Sequence, residues 1–227
     1  MNARPWDAVL FDLDGTLIDT APDIADAVNG VRADCGLPPV PESWVRERIG
    51  NGARQLLVQA DLTGQLENFA DYYAQCCGRR GRLYPYAAST LDELRRAGVK
   101  LALLTNKEQR FARLVLEVHR LDHAFDVQIC GDTLSARKPD PLPVAYALAM
   151  LDVPASQALL VGDSRIDVQC ARNAGIAVWA VGYGYGRRAA LAQADRIIGS
   201  LAEVADAYAP RASSNNLYLR SNPLNWS

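Results

Sequence analysis

Short, almost wholly apolar runs alternate with amphipathic stretches along most of the chain. Ala8-Val9-Leu10-Phe11, Lys100-Leu101-Ala102-Leu103-Leu104, Val127-Gln128-Ile129-Cys130, Ala158-Leu159-Leu160-Val161 and Ile176-Ala177-Val178-Trp179 have the length and apolar content of buried strands. Between them, helical spacing predicts helices over Thr90 to Ala97, Gln109 to Val118, Pro143 to Leu151 and Ile166 to Asn173. Near-continuous apolar strands separated by helices predict a parallel sheet covered on both faces. The expected fold is α/β, a doubly wound, Rossmann-like parallel sheet.

One interval breaks the alternation. From Ile18 to Leu83 the pattern gives helix after helix and no convincing strand: Thr20 to Asp34, Trp44 to Ile49, Ala53 to Ala60 and Leu66 to Cys77. A helical insert after the first strand sits over the strand's carboxyl end, where open α/β sheets bind ligands. The expected organisation is therefore a core over residues 1–17 and 84–209 with an inserted α-helical cap domain over 18–83. The linkers fall near Thr16 to Asp19 and Arg82 to Tyr86. Residues 210–227, rich in Ser, Asn and Pro, read as a loose tail.

Composition narrows the function without naming it. The 227 residues are 49% hydrophobic and 22% charged with a net charge of -2, so no field exists to gather nucleic acid or an acidic membrane surface. No run approaches the roughly 18 apolar residues of a membrane span. The start of the chain does not read as a secretory signal, and a cytoplasmic address is expected. The protein itself is expected to be a monomer or homodimer. Five cysteines at irregular spacing read as reduced packing residues.

The candidate chemistry lies at strand ends. Phe11-Asp12-Leu13-Asp14-Gly15-Thr16-Leu17 carries two carboxylates two residues apart, which on extended backbone point to one face. Close carboxylates repel, so the site calls for a cation or a held proton. Oxygen ligands without soft donors suit magnesium (Mg2+). A lone Asp-x-Asp is as readily a solvated turn. Three further clusters change that weighing: Thr105-Asn106-Lys107, Lys138-Pro139-Asp140-Pro141 and Gly162-Asp163-Ser164-Arg165-Ile166-Asp167. All four fall on one edge of the expected sheet.

In order and content these clusters resemble the four motifs of the haloacid dehalogenase superfamily of phosphatases, over residues of about 8 to 182. The resemblance implies a role for each position. Asp12 is the nucleophile that takes the phosphoryl group. Asp14 is the acid that protonates the leaving oxygen and then the base that activates water, with its backbone carbonyl on the metal. Thr105 and the backbone after it, at Asn106, hold the phosphate. Lys138 neutralises charge between nucleophile and phosphate. Asp163 ligates magnesium, and Asp167 is a ligand or stands just behind the ligands. The dehalogenase branch lacks the second aspartate, so Asp14 favours phosphate esters over halides.

Ile49-Gly50-Asn51-Gly52-Ala53-Arg54, Gly131-Asp132-Thr133-Leu134 and Gly182-Tyr183-Gly184-Tyr185-Gly186 further resemble bacterial phosphoglycolate phosphatases. On that resemblance the expected partner is a small phosphorylated metabolite, and the expected reaction is 2-phosphoglycolate to glycolate and phosphate. The amides of Gly50, Asn51 and Gly52 would meet an anion at a helix N-terminus, and Arg54 a substrate carboxylate. Equally, these glycines serve as a turn between cap helices. Tyr86 stands where the family carries glycine, expected to stiffen cap opening or fill the pocket. The alternatives within the enzyme class are a sugar-phosphate phosphatase, such as one for N-acetylmuramate 6-phosphate, and a phosphoglucomutase-like enzyme. A phosphoacceptor signalling domain is the alternative outside it. His119 and His123 read as surface residues near a helix end, and Trp44 and Trp179 as packing residues.

Overall fold

The computed structural model describes residues 5–208. Strand β1 (Ala8–Phe11) leads into the two-residue strand β2 (Ile18–Asp19). Four helices follow, α1 (Ala21–Asp34), α2 (Glu42–Arg46), α3 (Ala53–Gln59) and α4 (Leu66–Cys76), and then strand β3 (Arg82–Leu83). The chain continues as α5 (Ala87–Arg96), β4 (Lys100–Leu104), α6 (Gln109–Val118), β5 (Val127–Ile129) and α7 (Leu142–Leu151). It ends its described course as β6 (Ala158–Gly162), α8 (Arg165–Ala174), β7 (Ala177–Val181), β8 (Arg196–Ile198) and α9 (Ala202–Asp206).

Six parallel strands form the main sheet in the order β5-β4-β1-β6-β7-β8. Strand β1 is central, and Phe11 pairs with Leu103 on one side and Val161 on the other. Its alternation divides the core in two. Val9 and Phe11 join the apolar cluster under α5, α6 and α9, whereas Ala8 and Leu10 join the one under α7 and α8. All four are fully buried, which is why this stretch reads as a continuous apolar run. Strand β8 was not among the expected strands: it is three residues at the sheet's edge and begins with exposed Arg196, too short and too polar to stand out.

Helices α1 and α4 pack together through Ile24, Ala27, Val28 and Val31 against Phe69, Tyr73 and Cys76. Phe111 of α6 meets Phe69 and Tyr73 edge-on, at ring-centroid distances of 5.4 and 5.6 Å. The insert and one face of the core thus share a single apolar cluster, and each buried aromatic contributes about 1.5–3 kcal/mol of transfer free energy. Buried Asp23 shapes the return loop by accepting hydrogen bonds from the N–H groups of Gly78, Arg80 and Gly81.

Where only linkers were expected, the two crossing segments pair as an antiparallel ribbon, Ile18 opposite Leu83 and Asp19 opposite Arg82. Two residues per strand carry no readable alternation. Tyr86 takes a φ of 68°, the left-handed region that favours glycine, which accounts for the glycine of the family pattern. Its side chain is 59% exposed and fills no pocket, contrary to one of the two expectations for it. No helix among the described residues is long and apolar enough to cross a membrane. The expected tail, 210–227, lies outside the described residues. The five cysteines are free, with Cys76, Cys130 and Cys170 buried.

Candidate active site

The carboxyl ends of β1, β4 and β6 and the loop before α7 converge on a cavity of about 640 Å3, roofed by the loop between α2 and α3. Asp12 follows β1 directly, fixed by its N–H donating to the Val161 carbonyl at 2.9 Å. Its Oδ1 lies 2.8 Å from the Lys138 ammonium, while Oδ2 has no partner among the described residues. Burial, reinforced by Asp167 and Asp14 and opposed by Lys138, pushes the Asp12 carboxyl up to about 7.

Lys138 is 3% exposed and is shared between Asp12 and Asp167, the latter at 2.6 Å. Asp167 spends its other oxygen on the N-terminus of α8, accepting from the Ser164 N–H at 3.0 Å and the Ser164 hydroxyl at 2.6 Å. Ser164 in turn accepts from the Asp167 N–H, a capping box that fixes both residues. Both oxygens of Asp167 are therefore hydrogen-bonded, and one of them aims Lys138.

Asp163 is fully walled in. Its Oδ2 accepts from the Tyr185 N–H at 2.6 Å, and a Cβ on Gly184 would lie 2.2 Å from its own Cβ. Only backbone without a side chain fits there, which gives Gly184 its purpose, and likewise Gly186, on which a Cβ would lie 2.1 Å from the Asp163 carbonyl oxygen. The same loop ties the ribbon to the core. The Tyr185 hydroxyl donates to Asp19 and accepts from the N–H groups of Thr20 and Ala21, and Tyr183 donates to the Thr16 carbonyl. Burial first, then Asp167 and Asp12, holds the Asp163 carboxyl well above the usual range.

Ligand atoms of Asp12, Asp163 and Asp167 lie within 4.8 Å of one another, all buried. Against these three carboxylates stands one buried ammonium paired within the group, Lys138, which meets Asp12 and Asp167. That excess of negative charge in an all-oxygen donor set fits a hard divalent cation. Asp12 and Asp163 each have an oxygen without a partner among the described residues to offer the ion, and Asp167, hydrogen-bonded at both oxygens, stands in the same group.

Asp14 is outside this cluster. Its carboxylate accepts from the Thr20 hydroxyl at 2.6 Å and from the Lys107 ammonium at 3.1 and 3.2 Å. The side chain is thus turned toward the insert, and only its backbone is left for a metal. Thr105 is buried, and its hydroxyl accepts from the Lys107 N–H at 3.2 Å, which leaves the hydroxyl proton to donate into the cavity. Lys107 had no role assigned from sequence. A lysine in a polar loop signals nothing, and its partner Asp14 is 93 residues away.

The insert's loop is tied to the core at several points. Asn106 Nδ2 donates to the Gly50 carbonyl and the Lys138 carbonyl, both at 2.9 Å, and Arg137 donates to the Asn51 carbonyl at 3.0 Å. The amide of Ala53, in the first turn of α3, is already taken by the Glu108 carboxylate at 3.0 Å, with the Arg54 amide at 3.4 Å. Gly52, at φ 82°, abuts the Asn106 carbonyl and Glu108, where a Cβ would lie 3.1 Å from both. Gly50, Asn51 and Gly52 line the cavity, but Arg54 does not; its side chain is exposed on α3. A core carboxylate thus caps the first turn of α3, and the turn also ties the insert to the core. His119, half-buried after α6, has its imidazole held below the usual value by burial and then by Arg82, against the pull of Asp23, and His123 lies exposed beside Asp122.

Comparisons with known proteins agree with this geometry. The family model for haloacid dehalogenase-like hydrolases matches residues 9–181. A plasmid-borne phosphoglycolate phosphatase of Cupriavidus necator is 42% identical over 210 residues, covering 87% of this chain and 90% of the relative. The phosphoglycolate phosphatase of Vibrio cholerae is 39% identical over 215 residues, 86% of this chain and 95% of its own. Among solved structures, a predicted phosphoglycolate phosphatase from Haemophilus somnus superposes with a TM-score of 0.83 at 32% identity, covering 89% of this chain and 97% of that one.

Proposed function

The chain belongs to the haloacid dehalogenase-like hydrolases, and from that premise we propose that it hydrolyses 2-phosphoglycolate to glycolate and phosphate through an aspartyl-phosphate on Asp12. The observation that carries the reading is the division of labour between two adjacent carboxylates. Asp12 keeps one oxygen on Lys138 and the other free, while Asp14 is held apart on Thr20 and Lys107. The choice of ester comes from the relatives, named for phosphoglycolate over nearly their whole length.

In the proposed first step, the free oxygen of Asp12 forms a bond to phosphorus as the phosphorus–oxygen ester bond breaks. A proton from Asp14 goes to the departing glycolate oxygen. In the second, water attacks the phosphorus of the aspartyl-phosphate, Asp14 takes the water's proton, and phosphate leaves with Asp12 restored. Thr105 and the Asn106 amide hold the phosphate oxygens, and Lys138 offsets the repulsion between a carboxylate and a phosphate dianion. A bound divalent cation, magnesium in this proposal, adds positive charge at the same oxygens. Residues 18–83 act as the cap over this chemistry, joined through the β2–β3 ribbon.

A sugar phosphate is the second reading, favoured by one observation: 640 Å3 is more room than a two-carbon ester needs. A signalling domain would need no acid beside its phosphoacceptor and no helical insert. Phosphate release from a panel of esters, with magnesium and then with chelator, tests the proposal. Metal-dependent preference for 2-phosphoglycolate supports it. Preference for a sugar phosphate moves the substrate, and no metal-dependent release from any ester removes the mechanism.

A further inference from the structure

We propose that Lys107 selects esters carrying a carboxylate next to the leaving oxygen, binding that carboxylate with the same ammonium that holds Asp14. The inference rests on the 2-phosphoglycolate reading above and assigns its specificity to a residue.

Lys107 is 7% exposed, and a buried ammonium is costly unless it is paired. Its pairing is incomplete. An ammonium has three N–H donors, and the two oxygens of Asp14 are its only oxygen acceptors among the described residues. The rest of the group faces the ring of Tyr73, 5.0 Å from the centroid. Lys138 differs, since it is used up between Asp12 and Asp167. Lys107 also borders the cavity that holds Asp12, so an anion there reaches it without rearranging the insert.

The chemistry of the ester supplies the rest. In 2-phosphoglycolate one carbon separates the leaving oxygen from the carboxylate carbon, so the carboxylate oxygens lie roughly 3 Å from the leaving oxygen. A leaving oxygen within hydrogen-bond reach of Asp14 therefore sets the carboxylate beside whatever cation Asp14 touches, and that cation is Lys107. The third N–H then finds an acceptor, and the carboxylate finds a charge-assisted donor in a water-poor site. Arg54, exposed and outside the cavity, is not placed for this task.

The test compares kcat/KM for 2-phosphoglycolate and for 2-hydroxyethyl phosphate, which has an uncharged hydroxyl in place of the carboxylate. Wild type, Lys107→Met, Lys107→Gln and Lys107→Arg are assayed with magnesium. The expected result is a fall of about 10–100-fold in the ratio of the two values for the Met and Gln variants, the scale of one hydrogen bond to a charged group, with partial recovery in Lys107→Arg. Equal losses on both esters overturn the assignment and leave Lys107 as a support for Asp14. Because the ratio is taken on one protein, partial misfolding cancels. If the Met chain does not fold, the Gln variant, similar in length and still a donor, carries the comparison. A wild type that prefers some other ester defeats the substrate reading itself. A wild type that prefers 2-phosphoglycolate, with an unchanged ratio in the variants, defeats only the role of Lys107.

Discussion

The carboxylate cluster at the sheet edge and the Gly50-Asn51-Gly52 loop of the insert border one cavity, yet their polar groups are partnered in opposite ways. At the sheet edge, charge is left unbalanced: three buried carboxylates are grouped with one ammonium, which pairs with two of them, and Asp12 keeps a free oxygen. On the loop, the groups that face the core are paired. The carbonyls of Gly50 and Asn51 and the first-turn amide of α3 all have partners from the core. Unbalanced buried charge is costly, and an active site spends that cost on binding and chemistry. Pairing of that kind is what a joint needs. The expected division is that the first region acts on the substrate and the second sets how the insert sits over it.

The sharpest break of this comparison is Asp12→Asn, which removes the nucleophile at nearly constant shape. Turnover of 2-phosphoglycolate is expected to fall on the order of 10⁴-fold or more, with the thermal transition kept. Phosphate release checks it, and appreciable residual activity would pass the nucleophile's role elsewhere. Asp14→Asn comes next, with a loss of about 10²–10⁴, the range for a general acid-base group. The loss should shrink on an aryl phosphate, whose leaving group needs no proton. An equal loss on both esters would make Asp14 a structural partner of Lys107.

Charge imbalance also has a readout in stability. The Asp12 carboxyl rises from its ordinary 3.8 to about 7, and Asp163 moves the same way. The folded state then binds protons more tightly than the unfolded state between those values. Stability of the metal-free protein must therefore fall as pH rises through that window. The melting temperature without metal is expected to be lower at pH 8 than at pH 5, and magnesium should recover it at pH 8. A metal-free protein equally stable at both would mean that the cluster's charge is balanced by something other than a cation.

These contrasts explain what was legible in the sequence. Asp12, Thr105 and Asp163 stand at strand ends, and the apolar runs before them locate those ends by pattern; Lys138, on the loop before α7, was placed by the motif it resembles. The partners that do the positioning are far apart in the chain and leave no local trace. Lys107 meets Asp14 across 93 residues, and Tyr185 meets the Thr20 N–H across 165. The docking of the loop was illegible for a physical reason. A glycine-flanked helix start promises free amides, and nothing in Ile49-Gly50-Asn51-Gly52-Ala53-Arg54 discloses that Glu108 arrives there. The ribbon and β8 escaped because two or three residues carry no period.

The mildest variants sharpen the joint half of the comparison. Glu108→Gln removes the carboxylate that caps α3, which should cost about 0.5–2 kcal/mol. For a chain of this size that lowers the melting temperature by about 1–8 °C. Were the amides of Ala53 and Arg54 a substrate site blocked by Glu108, the same change would free them and KM for 2-phosphoglycolate would drop. A joint predicts the reverse ordering: stability falls and KM does not. Arg54→Ala, on the exposed side of α3, should move stability by no more than about 0.5 kcal/mol and KM by less than about twofold. A tenfold fall in KM for Glu108→Gln, or a tenfold rise for Arg54→Ala, would return the loop to substrate binding and dissolve the distinction between the two regions.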